Sequence, residues 1–295
     1  MSIRKILNSK RVVIMLFLLP AAFFFLLYLV VPIPVSGYYS LFKWDGIGTL
    51  NFIQLDNWKR LLSDDVFWLA VSNNFKLVII SIIGQIPIAL ILAVLLTRKL
   101  SGVNFFKTVF FIPMLISSVA VAFLWRYMYD PTFGLINAVL EGIGLESWAL
   151  SWLGDTGVVF YSIAIAVCWR FIPLYMIIFM AAISGISEQL YEAARIDGAS
   201  PFQSFWKITL PLLLPTMINA VVLVIVGSLK YFGMVYALSG GGPNHASEVM
   251  ATYMYTKSFT ELRMGYGSTI SLSLFLIAFV VSVFFLALTK RSIRD

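Results

Sequence analysis

Long apolar runs alternate with short polar segments along this chain. Six stretches, at roughly 12–33, 75–96, 106–127, 158–182, 211–236 and 267–289, approach the ~20 apolar residues a helix needs to cross the hydrocarbon core of a bilayer. The pattern predicts an all-α polytopic membrane protein with six transmembrane helices. No internal repeat or low-complexity linker divides the sequence, so a single transmembrane domain over 1–295 is the expectation. The first run follows Arg4, Lys5, Lys10 and Arg11, as a secretory leader would. At about 20 residues it exceeds the usual 7–15 of a leader's apolar region, and no clean small-x-small site follows, so it reads as a retained first span.

Charge between the spans orients them. With the N-terminus inside, the inner segments carry Arg4, Lys5, Lys10, Arg11, Arg98, Lys99, Lys107, Arg195, Lys207, Lys290, Arg291 and Arg294. The outer segments carry only Lys43, Lys59, Arg60, Lys257 and Arg263. The excess of Lys and Arg on one side places both termini, and the polar segment at about 184–210, in the cytoplasm. The outer segments are longer and hold Trp44, Trp58, Trp148 and Trp152, which read as an interfacial aromatic belt or, alternatively, as contacts for an extracytoplasmic partner.

Composition agrees and narrows the chemistry. The chain is 60% hydrophobic and 12% charged, against roughly a quarter charged in soluble domains. One cysteine, Cys168, and one histidine, His245, argue against a disulfide framework, a Cys- or His-rich metal centre and a Ser-His-Asp triad. The net charge of +7 is spread as a topology signal rather than clustered as a nucleic-acid face. No carboxylate falls within the six apolar cores, which weighs against a proton- or sodium-coupled carrier. The chain has no GxSxG, HExxH or GxxxxGK[ST] pattern, so any ATP that powers it must be bound by another chain. The run 238–242, LSGGG, imitates an ATPase signature, but it lies in an outer segment without a phosphate loop and reads as a Gly-rich turn.

The segment 192–215, EAARIDGASPFQSFWKITLPLLLP, reads as a short helix, a Gly break and a second short helix entering a Pro-marked span. Glu192 and the alanines favour the first helix, and Gly198 permits the positive φ that ends it. Ser200 and Pro201 suit the N-cap and first position of the second helix, where Phe202, Phe205 and Trp206 form one apolar stripe. Glu192, Ala193 and Ala194, then Asp197, Gly198 and Ala199, then Ile208, Leu210 and Pro211, resemble the cytoplasmic coupling loop of ABC-importer permeases. Trp169 with Pro173, Leu190-Tyr191, Tyr129-Asp130-Pro131 with Gly134 to Asn137, and Gly240-Gly241-Gly242-Pro243 resemble the sugar-importing branch of that family.

The resemblance implies a type I ABC importer permease fold and a bacterial or archaeal cytoplasmic (inner) membrane location. It also implies a second homologous permease, two cytoplasmic ABC ATPases that bind the ATP and Mg, and an extracytoplasmic solute-binding protein as partners. Membrane lipid is expected around the chain, and no cofactor within it. The implied function is ATP-driven import of a sugar, an oligosaccharide in particular, with an anionic sugar or a glycerol-phosphate type solute as the alternative. The loop would seat in a cleft of the ATPase, anchored by Glu192.

Arg170 and Lys230 place charge inside apolar spans, at about 2.5–3.5 kcal/mol each on insertion scales. They either snorkel or pair structurally, or they line a polar pathway with Trp169, Ser228 and Tyr231, whose rings and hydroxyls suit a sugar. Aligned through the loop, the sugar-lining positions of maltose-type relatives fall on Val167, Arg170, Phe171 and Leu174, and on Val224, Gly227, Ser228 and Tyr231. Val167 replaces a polar residue there and Phe171 a small one.

Overall fold

The computed structural model describes residues 10–97 and 102–292. Of the cations that orient the chain, Arg4, Lys5, Arg98, Lys99 and Arg294 lie outside the described residues. Ile14–Tyr39, Asp65–Thr97, Val159–Ser184, Pro201–Leu229 and Met264–Thr289 are each long and apolar enough to cross a membrane, and a bent helix pair supplies a sixth candidate. The contacts gather into two compact units.

One unit comprises residues up to Asp64 together with Met254–Ser273. Helix α1, Lys10–Phe25, runs through a π-helical turn at Leu26–Val30 into α2, Pro32–Tyr39. Pro32 and Pro34 have no N–H to donate, and the Val31 N–H reaches back five residues to the Leu26 carbonyl at 2.9 Å, so the register shifts where the prolines begin. No side chain in the apolar window of this span is buried within the chain, as suits a surface meant for lipid or another subunit. A small hairpin follows, β1 (Phe42–Lys43) pairing antiparallel with β2 (Asn51–Phe52), and then α3, Asp56–Leu62. Buried Asn57 clasps hairpin to helix, its Nδ2 donating to the Ser40 and Phe42 carbonyls, both at 2.9 Å.

The other unit holds the helix core. Helices α4 (Asp65–Thr97), α5 (Val103–Leu115), α6 (Ser118–Met128), α7 (Leu135–Gly142) and α8 (Val159–Ser184) are followed by α9 (Glu188–Ile196) and α10 (Pro201–Ser204). After a π-helical turn at Phe205–Thr209 come α11 (Leu210–Leu229), α12 (Gly233–Ser239) and α13 (Met250–Tyr255), while α14 (Met264–Ser292) starts in the first unit and belongs to this one from Leu274 onward. Helices α4 and α8 lie side by side, with α11 against both. Small residues make the close approach possible: Ala89 and Ala93 are fully buried against Phe179, Met176 and Leu213. A Cβ on Gly84 would lie 3.1 Å from the Cys168 sulfur.

Two expected spans are corrected. The run 106–127 is not one helix but α5 and α6, bent by 102°. Ile116 and Ser117 are extended there (ψ 141° and 151°), and the Ser117 hydroxyl accepts the Ala120 N–H at 3.2 Å to start α6. The run 211–236 likewise divides: α11 ends at Leu229 and α12 begins at Gly233, so Lys230 is an exposed C-cap rather than a charge inside a span. Hydropathy hides both breaks because the residues flanking them are apolar. Lys76 on α4 and Arg126 on α6 also fall within apolar runs, and both are exposed.

Asn74, on α4, explains how the second break is tolerated. Its Nδ2 donates to the Ser228 and Leu229 carbonyls at 3.0 and 3.1 Å, and its Oδ1 accepts the Met250 N–H at 2.8 Å. Neighbouring Asn73 donates to the Ala246 and Glu248 carbonyls at 3.0 and 2.9 Å. Three of the four outer tryptophans make contacts within the chain. Trp44 stacks on Tyr39 at 4.5 Å, Trp58 donates to the Ser40 hydroxyl at 3.2 Å, and Trp152 donates to buried Asn137 at 2.7 Å, whereas Trp148 is exposed.

Replacing Asn74 by alanine orphans the Leu229 carbonyl and the Met250 N–H, and leaves the Ser228 carbonyl with backbone donors alone. We expect Asn74→Ala to lower stability by about 1–3 kcal/mol, read as a lower thermal midpoint in detergent, whereas Asn219→Ala, at an exposed position, leaves the midpoint in place.

Candidate functional site

The polar segment between α8 and α11 is built from two reciprocal caps. At the end of α9 the Ala199 N–H bonds the Ala194 carbonyl at 2.8 Å and the Gly198 N–H bonds the Arg195 carbonyl at 3.1 Å, the paired bonds of a Schellman stop. Gly198 sits at φ +78°, in open space, so its requirement for glycine is conformational rather than steric. At the start of α10 the Ser200 hydroxyl accepts the Gln203 N–H at 3.2 Å while Gln203 Oε1 accepts the Ser200 N–H at 2.8 Å, a complete capping box. Short helices of this kind are marginal alone, and these caps hold the turn between them.

Glu192, Ala193, Asp197 and Gly198 are exposed, and Ala194 and Ala199 are partly buried at the turn. Ile208 and Leu210 are partly buried and Pro211 is exposed, beyond the knob on the helix leading into the span. Ile196, Phe202 and Trp206 add exposed apolar surface, at 86%, 72% and 53% of their full areas, while Phe205 packs into the helix core. One contact escaped sequence reasoning: the Tyr191 and Thr209 hydroxyls meet at 2.8 Å and tie α9 to the turn that begins α11. The Gln203 partner of the capping box was also missed, although its S-x-x-Q spacing is a readable signal.

The residues proposed for a pathway separate into two groups. Trp169, Arg170 and Tyr231 come together beside the α5–α6 break. Arg170 donates through Nη2 to the Ile116 carbonyl at 3.2 Å and through Nη1 to the Ser118 hydroxyl. Its guanidinium carbon also lies 5.6 Å from the Phe171 ring centre. Tyr231 meets Phe171 edge-on at 5.8 Å, and Trp169 meets Trp125 edge-on at 5.7 Å. The Tyr231 hydroxyl is buried and faces the Arg170 guanidinium. Ser228 is buried, its carbonyl taken by Asn74. Lys230 is exposed and joins none of these contacts. Asn73 and Asn74 were missed as site-shaping residues, although two adjacent amides at the head of an apolar run are a visible anomaly.

Comparison with known proteins places this geometry. The model of the family described as binding-protein-dependent transport system inner membrane component matches residues 85–294. A probable ABC transporter permease protein of Bacillus subtilis, YurN, is 38% identical over 279 residues, covering 94% of this chain and 95% of that one. The multiple sugar-binding transport system permease protein MsmF of Streptococcus mutans is 31% identical, covering 99% of each chain. The crystal structure of a bacterial ABC transporter involved in the import of the acidic polysaccharide alginate matches with a TM-score of 0.81 and 25% identity, over 95% of both chains.

Removing the Arg170 guanidinium leaves the Ile116 carbonyl at the α5–α6 break unpaired. We expect Arg170→Met to lower stability by about 1.5–3 kcal/mol, and Arg170→Lys, which cannot reach two groups as a fork, to recover only part of the thermal midpoint.

Proposed function

This chain belongs to the family of binding-protein-dependent transport system inner membrane components, and we propose that the cargo of this ABC-importer permease is a sugar, an oligosaccharide in particular. It is a multi-pass protein of the inner membrane and a transport subunit. The single observation that carries the coupling reading is the exposed, doubly capped knob that leads directly into the continuous helix Pro201–Leu229. The sugar reading is supported by the kinship with MsmF and by the aromatic and hydroxyl groups of Trp169 and Tyr231 beside Arg170.

In this mechanism a solute-binding protein delivers the sugar from outside, and two cytoplasmic ATPases, carrying the ATP and Mg, drive the cycle. A second permease completes the pathway. The knob of Glu192, Ala193, Ala194, Asp197, Gly198 and Ala199 seats in the ATPase, and Ile208, Leu210 and Pro211 join it to α11. ATPase closure, transmitted through the capped knob, moves α11 against α4 and α8. The α5–α6 break, held by Arg170, and the α11–α12 break, held by Asn74, leave backbone beside the pathway where a straight helix would fill it. Tyr231, packed edge-on against Phe171 and facing Arg170, borders that pathway.

In proteoliposomes with the partner chains, Gly198→Asp and Glu192→Ala are expected to insert normally and keep ATP hydrolysis while cutting sugar uptake at least about tenfold. Normal uptake by both variants would remove the coupling role. Tyr231→Ala is expected to lower the uptake rate with assembly unchanged; uptake kinetics equal to the parent's would make Tyr231 a packing residue.

A further inference from the structure

The hairpin β1–β2, helix α3 and the first turn of α14 surround a cavity of about 630 Å³, lined among others by Lys43, Trp44, Asp45, Asn51, Arg60 and Tyr266. That size falls in the range of small-molecule sites, about 300–1,000 Å³. All its lining residues belong to one compact unit. The hairpin follows the first span and Tyr266 opens the last, so the charge distribution puts the cavity on the extracytoplasmic side.

Its walls are fixed by buried contacts. Asn57 clasps the hairpin as described above, and the Gly265 N–H bonds the Trp44 carbonyl at 3.2 Å. A Cβ at Gly265 would stand 1.9 Å from the Phe42 carbonyl oxygen, so glycine alone lets the hairpin approach α14 this closely. Trp44 is braced by its stack on Tyr39 and by its indole N–H on the Gly48 carbonyl at 3.1 Å.

The polar groups divide into those already engaged and those left open. Asp56 is paired with Lys59 at 3.0 Å and Arg263 with Glu261 at 3.3 Å. The Gly48 and Ile47 N–H groups bond one Asp45 oxygen at 2.7 and 3.0 Å and hold its carboxyl below the usual range, leaving an ionised second oxygen. Among the described contacts Lys43 has no polar partner, and the Arg60 guanidinium lies 4.8 Å over the Tyr266 ring without a carboxylate. A simple anion would meet Lys43 and Arg60 but also the Asp45 charge. A saccharide suits the whole set: its hydroxyls both donate and accept, and its C–H face packs on an aromatic ring.

We propose that this cavity is an extracytoplasmic saccharide-binding subsite, in which Trp44 supplies an aromatic wall, Lys43 and Arg60 donate to hydroxyls, and Asp45 and Asn51 accept from them. The subsite rests on the sugar-import reading and adds to it a place on this chain where a sugar is held outside the membrane-crossing helices.

The test is equilibrium binding of tritiated maltotriose and raffinose to the assembled transporter in nanodiscs without its solute-binding protein. Uptake with that protein is measured in parallel. Saturable binding of one sugar, weakened about tenfold or more by Lys43→Gln, Arg60→Gln and Trp44→Ala but not by Trp148→Ala, is the expected result. Because Trp44 braces the hairpin, the two glutamine variants carry the test if Trp44→Ala fails to assemble. Uptake with no binding to the assembly, or with binding indifferent to all three changes, would overturn the subsite and leave the sugar reading standing. Variants that bind sugar normally but capture the binding protein poorly would make the cavity a protein-docking surface and overturn the proposal. Binding of inorganic phosphate that excludes both sugars would make it an anion site. Failure of the parent transporter to take up any sugar would remove both readings together.

Discussion

Inside a bilayer no water is available to a backbone carbonyl, and each one left unpaired costs several kcal/mol. At two breaks between the helices of this chain, side chains of neighbouring helices meet the freed backbone groups. The break between α5 and α6 exists because Arg170, reaching from α8, bonds the Ile116 carbonyl and the Ser118 hydroxyl. The break after α11 exists because Asn74, reaching from α4, bonds the last two carbonyls of that helix. In both places a polar side chain on a continuous helix supplies what a discontinuous neighbour lacks. Polar residues in the apolar core therefore act first as distant caps, and any contact with a solute is made by what the caps leave open.

The same economy shapes the site. Arg170 is drawn to the break on one side and to the Phe171 ring on the other, with Tyr231 facing it, while Trp169 packs on Trp125. Lys230, equally conspicuous in the sequence, stays at a helix end, exposed. Charges in apolar runs meet different ends: Arg170 finds a backbone group to satisfy, the helix stops at Lys230, and Lys76 stays on an exposed face of α4. The knob between α8 and α11 solves a different problem, stiffness in water. Its Schellman stop, capping box and Tyr191–Thr209 bond supply locally the order that the core supplies to the long helices. Under the proposed function, such a knob transmits displacement to α11 instead of absorbing it.

Much of this was legible in the residues themselves. Apolar length marks the spans because hydrocarbon thickness sets a minimum helix length. Gly198, Ser200 and Pro201 announce their turn because only certain residues take those backbone conformations cheaply, and the structure has the positive φ at Gly198 and the cap at Ser200. These are local effects, written within a few neighbouring positions. Ser117 also caps α6 locally, but the partners of Arg170 across that break, the work of Asn73 and Asn74, and the clasp of the hairpin by Asn57 were decided by tertiary structure. Each depends on a hydrogen bond between helices or loops far apart in the chain, and a residue's own neighbours carry no record of which distant carbonyl it will meet.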